Sequence, residues 1–194
     1  MDFVDSVYIL YIDKNTGETD VWYVIQTLGG EEEKTADMIR KSVSSRYIKE
    51  CFIPKRERMK KFHGCWNKVE EVLFRGYVFV SSEYPEEVYQ RLKQIPKLTK
   101  ILGKEEDYFV ALSEEEERLA RGITDEEHKT SISKIQVEEG KTVRVLEGPL
   151  KDYVGNVVKV NLHKREAVVR VEFMGRPLEL KMGIEMVDGR EIEM

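Results

Sequence analysis

The sequence has little of what catalytic or cross-linked proteins depend on. It holds two cysteines, Cys51 and Cys65, and three histidines in 194 residues. That is too few for a disulfide framework, and too few for a four-ligand zinc site unless carboxylates are borrowed. Both cysteines are expected to be reduced thiols. No apolar run approaches the roughly 18 residues of a membrane-spanning helix, and Met1-Asp2-Phe3-Val4-Asp5 lacks the cationic start of a signal peptide. A soluble cytoplasmic protein with no membrane contact is therefore expected. Positive charge is not in excess either, with Lys plus Arg at 32, Asp plus Glu at 37 and a net charge of −5. This excludes a nucleic-acid binder that works through overall charge and leaves room only for a local basic face. There is no nucleophile elbow, phosphate loop, catalytic carboxylate pair or histidine-rich metal spacing. Gly29-Gly30 precedes a helical pattern, but Glu31, Glu32 and Glu33 would repel an anion from that helix start. His63-Gly64-Cys65 reads as a hairpin tip. No enzyme activity, cofactor or metal is expected.

What is present is charge, at 36% of residues against roughly 25% in an average globular chain. The length exceeds a typical domain of roughly 100 to 150 residues, so two domains are expected. Charge divides the chain. Residues 105–127 hold ten acids against Arg118 and Arg121, a local net of −8. Within that stretch Ser113 and Glu116 have capping-box spacing and Gly122 suits a helix stop, which predicts a short helix. The polar, aperiodic stretch that follows reads as an interdomain linker. The expected division is an extension over 1–20 with one possible strand at 7–12, a first domain over 21–121, a linker over 122–135 and a second domain over 136–194. With few apolar anchors in the linker, the domains are expected to be independent.

In the first domain the β-rich run 21–27 precedes Gly29-Gly30, and Ala36, Ile39 and Val43 then recur at helical spacing. Residues 48–54 and 72–80 are again β-rich. Pro85 opens a helix with Val88, Leu92 and Ile95 on one face, and 108–111 supplies a last strand. This β-α-β-β-α-β order predicts a ferredoxin-like α/β sandwich, making the chain α+β overall. After the linker, short β-rich runs at 143–146, 154–160, 167–173 and 178–182 are punctuated by Gly140, Gly148-Pro149, Gly155, Gly175 and Gly183. They fit a small all-β barrel of SH3-like size.

Phe74-Arg75-Gly76-Tyr77-Val78-Phe79-Val80 resembles the first RNP motif of an RRM, whose aromatics stack on bases. It departs from that motif at Val78, where Gly or Ala is the rule, and at Ser82, where an aromatic is. The same residues fit another family on this topology better. Trp22-Tyr23-Val24, Phe74 with Gly76-Tyr77-Val78, and Ile95-Pro96 leading to Ile101-Leu102-Gly103 resemble the three landmarks of the NGN domain of the NusG family, in order. The barrel resembles its KOW domain at Gly140 through Gly148-Pro149, at Gly155-Asn156-Val157-Val158, and at Phe173-Met174-Gly175-Arg176 followed by Leu178-Glu179-Leu180. The resemblance spans residues 21–190. It implies a transcription elongation and antitermination factor whose NGN domain binds the clamp of the largest RNA polymerase subunit through Phe74, Tyr77, Phe79, Ile101 and Leu102. Phe74 and Tyr77 can share a face only if Gly76 bends the strand.

The chain also departs from the housekeeping pattern. Leu150 stands where an aromatic that docks ribosomal or Rho partners is usual, Asp152 replaces a small residue, and Arg75 stands where proline is frequent. These departures resemble a specialised paralogue of the LoaP type, which implies recognition of structured RNA, a hairpin in a nascent leader transcript, during transcription of long operons. Charge agrees, because residues 141–181 hold nine cations against five acids, a net of +4. Arg144, Lys151, Lys159, His163, Lys164, Arg165, Arg170 and Arg176 are the expected RNA face. A second basic run, 46–61, holds seven cations against two acids. Its Arg56 and Arg58, with Lys34 and Lys41, are the candidates for contact with non-template DNA. A monomer is expected. The alternatives are a general elongation factor coupling polymerase to Rho or the ribosome, and an RRM-like RNA-binding protein without polymerase contact.

Overall fold

The structure is a computed structural model that describes residues 21–95, 109–138 and 142–187. The expected extension over 1–20, and the patch members Ile101 and Leu102, lie outside the described residues.

The first domain runs β1 (Val21–Gln26), α1 (Glu32–Ser42), β2 (Glu50–Phe52), β3 (Lys55–Phe62), β4 (Cys65–Val72), β5 (Tyr77–Ser82), α2 (Pro85–Lys93) and β6 (Phe109–Ala111). Four of these strands form an antiparallel sheet in the order β2-β5-β1-β6, the arrangement a ferredoxin-like sandwich gives. Helix α1 starts on Glu32 and Glu33 and ends on Arg40 and Lys41, so its charges oppose its dipole. Helix α2 opens on Pro85, whose missing N–H costs nothing at that position. Both helices cover one face of the sheet. Ala36, Ile39, Val88 and Leu92 bury Ile25, Val78 and Val80 there. Because side chains alternate along a strand, Trp22, Val24, Tyr77 and Phe79 point to the opposite face.

Strands β3 and β4 form a long hairpin that the sequence reading did not resolve into strands. Its lysines and glutamates occupy both faces, so no apolar alternation marks it. The tip was read from His63-Gly64-Cys65, and His63 and Gly64, both at positive φ (47° and 87°), make the two-residue turn that closes Phe62 onto Cys65.

Helix α3 (Glu114–Ile123) carries the expected capping box, with the Ser113 hydroxyl accepting from the Glu116 N–H and the Glu116 carboxylate accepting from the Ser113 N–H. Residues 122–135, expected to form a linker, are pinned along most of their length. Ile123 is buried, and the Asp125 carboxylate accepts the N–H groups of Glu127 and Lys129. The His128 ring stacks on Phe52 at 3.5 Å. Strand β7 (Lys129–Thr130) pairs in parallel with β3. Such a segment satisfies its backbone with its own polar side chains and shows no hydrophobic period for a sequence reading to find.

The second domain holds β8 (Ser133–Val137), β9 (Val143–Glu147), a 3-10 segment (Pro149–Asn156), β10 (Val157–Asn161), β11 (Glu166–Phe173) and β12 (Arg176–Met186). The strand order is β10-β11-β12-β8-β9, with β8 parallel to β12 and the other pairs antiparallel.

The domains are not independent, contrary to expectation. One continuous apolar cluster includes Trp22, Val24, Phe52, Phe74, Tyr77 and Phe79 from the first domain and Ile135, Phe173, Met182 and Ile184 from the barrel. A two-layer sandwich leaves its second sheet face open, and here the barrel covers that face. The strand pattern announces a buried face without saying which element buries it.

Candidate functional site

The described members of the expected polymerase patch, Phe74, Tyr77 and Phe79, lie at the centre of this covered face. Gly76 has φ of 87° and its N–H donates to the buried Glu32 carboxylate (2.8 Å), so the chain bends just before β5. The bend lets Phe74 and Tyr77 point the same way, which a regular strand forbids. Phe74, Tyr77 and Phe79 are 0%, 2% and 0% exposed. Phe173 of the barrel sits among them, with ring centroids 4.9 Å from Phe74, 5.3 Å from Tyr77 and 6.2 Å from Phe79. These are distances at which aromatic pairs attract beyond their buried area. Arg176 donates to the Tyr77 hydroxyl from Nε at 3.1 Å and also from Nη2.

Polar contacts fix the register between the domains. Arg56, on β3, pairs with Glu71 (2.7 Å) and with Glu166 at the start of β11 (3.0 Å), and Arg58 reaches the same two carboxylates at 3.3 and 3.4 Å. The side chains of Arg56 and Glu166 are 5% and 8% exposed. Partial burial works to raise the Glu71 carboxyl, but the hydrogen bond and charge of Arg56 and the charge of Arg58 outweigh it and hold the group below its ordinary range. Buried ion pairs of this kind specify an arrangement more than they stabilise it. The backbones also meet. A Cβ on Gly183 of β12 would fall on the Glu57 carbonyl and within 3.0 Å of the Arg58 Cα. On the far side, the Glu116 carboxylate accepts the Met174 N–H between β11 and β12.

The cations expected to touch nucleic acid separate into groups. Arg56 and Arg58, expected to face DNA, are instead committed to the domain contact. Lys34 pairs with Glu31 (2.6 Å), and Lys41 is exposed on α1. Of the expected RNA face, Arg144 pairs with Glu138 (3.0 Å) and Arg170 with Glu179 (2.7 Å), both near solvent. Arg176 turns inward to Tyr77. Lys164 and Arg176 lie at opposite ends of β11, about 25 Å apart along an extended strand. The set is therefore not one face. Lys151, Lys159, His163 and Lys164 are exposed. Leu150 is 1% exposed, and its N–H donates to the Ser133 hydroxyl (3.0 Å) inside the barrel.

Sequence reasoning read the tip of the β3–β4 hairpin as a turn but missed its Phe62 and Trp66 as candidate binding residues. Phe62 is 44% exposed with Lys60 Nζ 5.4 Å from its ring, and Trp66 has Lys61 Nζ at 6.0 Å. Arg165 of the barrel turn lies 4.1 Å over the same Trp66 ring. The alternation of lysine and aromatic residues around the His63-Gly64 turn was the available signal. The contact with Arg165, 99 residues on in the chain, had none.

Cys51 is packed against α1, and burial pushes its thiol up to about 12 despite the nearby Arg40, so it stays protonated. Cys65 is exposed, and both cysteines are free. Among the described residues no cluster of three or more His, Cys, Asp or Glu side chains is placed to hold a metal ion. Among them, too, no helix is long and apolar enough to cross a membrane.

Two family models match the chain, one on each domain. The family described as "Transcription termination factor nusG" matches residues 20–121, and the KOW motif matches residues 139–174. The transcription termination/antitermination protein NusG of Haemophilus influenzae is 30% identical over 183 residues, covering 87% of this chain and 96% of its own length. Its counterpart in Vibrio vulnificus is 28% identical over 174 residues, covering 86% and 96%. A solved structure described as "Domain interaction in Thermotoga maritima NusG" is 22% identical, covers 84% of this chain and 93% of its own, and superposes with a TM-score of 0.49.

Proposed function

Because this chain belongs to the NusG family of transcription termination/antitermination factors, we propose that its NGN domain binds the clamp of the largest RNA polymerase subunit through Phe74, Tyr77 and Phe79, and that its KOW barrel binds structured RNA. One observation carries the reading. The aromatic face that family resemblance assigns to polymerase is the face Phe173 now covers. The packed form is therefore a resting state, and polymerase and barrel compete for one surface. The barrel offers Lys151, Lys159, His163 and Lys164 to RNA without having to be released, whereas the NGN domain, once uncovered, bridges the polymerase cleft and disfavours the open states that lead to pausing. Leu150 supports the RNA-reading paralogue over a general factor, because a side chain held in the barrel core presents no aromatic knob to a ribosomal or Rho partner.

Polymerase affinity measured for three chains tests this. Gly183→Ala, which forces β12 off β3, is expected to bind core polymerase more tightly than the wild type. Adding Phe74→Ala to it should then lose roughly 1 to 4 kcal/mol, the range of an interface anchor. Equal affinity for all three chains overturns the proposal. Binding of an RNA hairpin should show a log–log salt slope near −3 if about four phosphates are neutralised. Affinity no better than for a bulk polyanion hands the barrel to the general-factor reading.

A further inference from the structure

The β3–β4 hairpin changes character along its length. Its inner half, 55–58 with 69–72, holds Lys55, Arg56 and Arg58 against Glu57, Glu70 and Glu71, a balanced set occupied with ion pairs. Its outer half, 59–68, holds Lys60, Lys61 and Lys68 and no acid. The barrel turn that meets it, 161–165, likewise carries Lys164 and Arg165 and no acid. Among the described residues Lys60, Lys61 and Lys164 make no ion pair, although carboxylates abound elsewhere on the surface. Two joints hold hairpin and turn together. Arg165 stacks over Trp66 (4.1 Å), and the Arg58 guanidinium donates to the Lys164 carbonyl (3.5 Å). Arg165 takes a positive φ of 51°, a backbone cost that a non-glycine residue bears only where its surroundings hold it.

We infer that this seam is a composite site for unpaired RNA, assembled from both domains and complete only while they are packed. The inference deepens the RNA reading of the barrel and rests on it. Phe62 offers an exposed ring on which a base can stack, and every base has a face to offer it. Lys60 Nζ lies 5.4 Å from that ring, and on the other face of the hairpin Lys61 Nζ lies 6.0 Å from Trp66. The Trp66–Arg165 stack joins this tip to the barrel turn, which adds Lys164 and His163 for the backbone phosphates of a chain that wraps the tip. A duplex hides its base faces, so unpaired loops are the ligand that uses the ring. Linkage follows. RNA that touches both domains binds the packed form more tightly than the open one, so it must in turn favour packing and oppose polymerase binding by the same factor. Unpaired RNA away from a transcription complex thus keeps the factor in its resting state.

Fluorescence anisotropy of the full chain with oligo(U), oligo(dT) and a paired RNA duplex tests the site. The expected order is oligo(U) tightest and the duplex weakest. Phe62→Ala and Trp66→Ala should each weaken oligo(U) binding about ten-fold. Trp66→Phe should restore most of the loss, which separates a missing ring from a misfolded hairpin. Lys164→Ala should weaken binding and flatten the salt slope by about 0.7. Gly183→Ala, which adds no charge, should weaken oligo(U) while leaving the barrel folded. If Lys164→Ala weakens binding but the tip and Gly183 variants do not, the barrel reading stands and the composite site falls. If only the tip variants matter, the barrel reading falls with it. Equal binding of oligo(dT) overturns the assignment to RNA, and a duplex bound as well as oligo(U) overturns stacking altogether.

Discussion

The two faces of the four-stranded sheet are made by the same strands and held in different ways. On one, Ile25, Val78 and Val80 meet helices α1 and α2, which follow them closely in sequence. On the other, Trp22, Tyr77 and Phe79 meet a barrel that begins beyond residue 130. The first face is mainly aliphatic, with one stack of Tyr23, Phe109 and Tyr89 at its β6 edge. The second is aromatic, rimmed by the Arg56–Glu166 pair and crossed by the Arg176–Tyr77 hydrogen bond. A face whose partners follow it closely in sequence is a permanent core. An aromatic face with polar registration and a distant partner is one that can be exchanged for another protein surface, since aromatic and arginine side chains serve as well at an interface as in an interior.

The comparison can be broken from its permanent side. Leu92→Ala empties space on the helix face and should cost about 2 to 5 kcal/mol. In urea the NGN domain should unfold earlier by that amount, while polymerase affinity at low denaturant stays unchanged. On the exchangeable side, Glu166→Gln leaves Arg56 buried without its barrel carboxylate and should weaken packing by about 1 to 3 kcal/mol. Amide exchange should then speed up in β3 and β12 together, with β1 and β5 keeping their protection from the helix side. The smallest effect is one of pH. The Glu71 pKa is lower in the folded chain than its ordinary 4.5, so the stability it contributes is full above that value and is lost as pH falls through the depressed one. Chemical-denaturant midpoints should therefore fall below about pH 4.5 more steeply for the wild type than for Glu71→Gln.

Much of this was legible in sequence, for reasons particular residues make plain. Val88 and Leu92 on one helical stripe, Ser113 with Glu116, and the glycines between barrel runs are local signals, and each element they mark is present. The ferredoxin-like order followed from them. The bend at Gly76 was legible as a condition, since Phe74 and Tyr77 could not otherwise share a face. What escaped reading was non-local. Nothing near Phe173 announces that its ring fills a gap among three aromatics some 100 residues earlier. Arg56 and Arg58 carry the same charge whether they face DNA or Glu166. The fate of 122–135 turned on Asp125, His128 and Thr130, polar residues whose partners lie within the segment or across the sheet. In the candidate site, Lys164 and Arg165 stood out by charge, whereas Trp66 was not singled out.

The two-residue strand β7 sets how the domains can part. It belongs by its pairing to the NGN hairpin, and β8, which belongs to the barrel, starts after only Ser131 and Ile132. Two residues reach at most about 7 Å, so while β7 holds, the barrel can rock but cannot clear the aromatic face. If β7 and His128 peel away, the free chain runs from 124 to 132, roughly 30 Å when extended. Separation is therefore geared rather than gradual, because a short leash must first be let out before any large travel begins. A barrel on a leash of that length stays at high effective concentration beside the face it left, so recapture is fast. Whatever holds the two apart must occupy the vacated surface rather than merely loosen the contact.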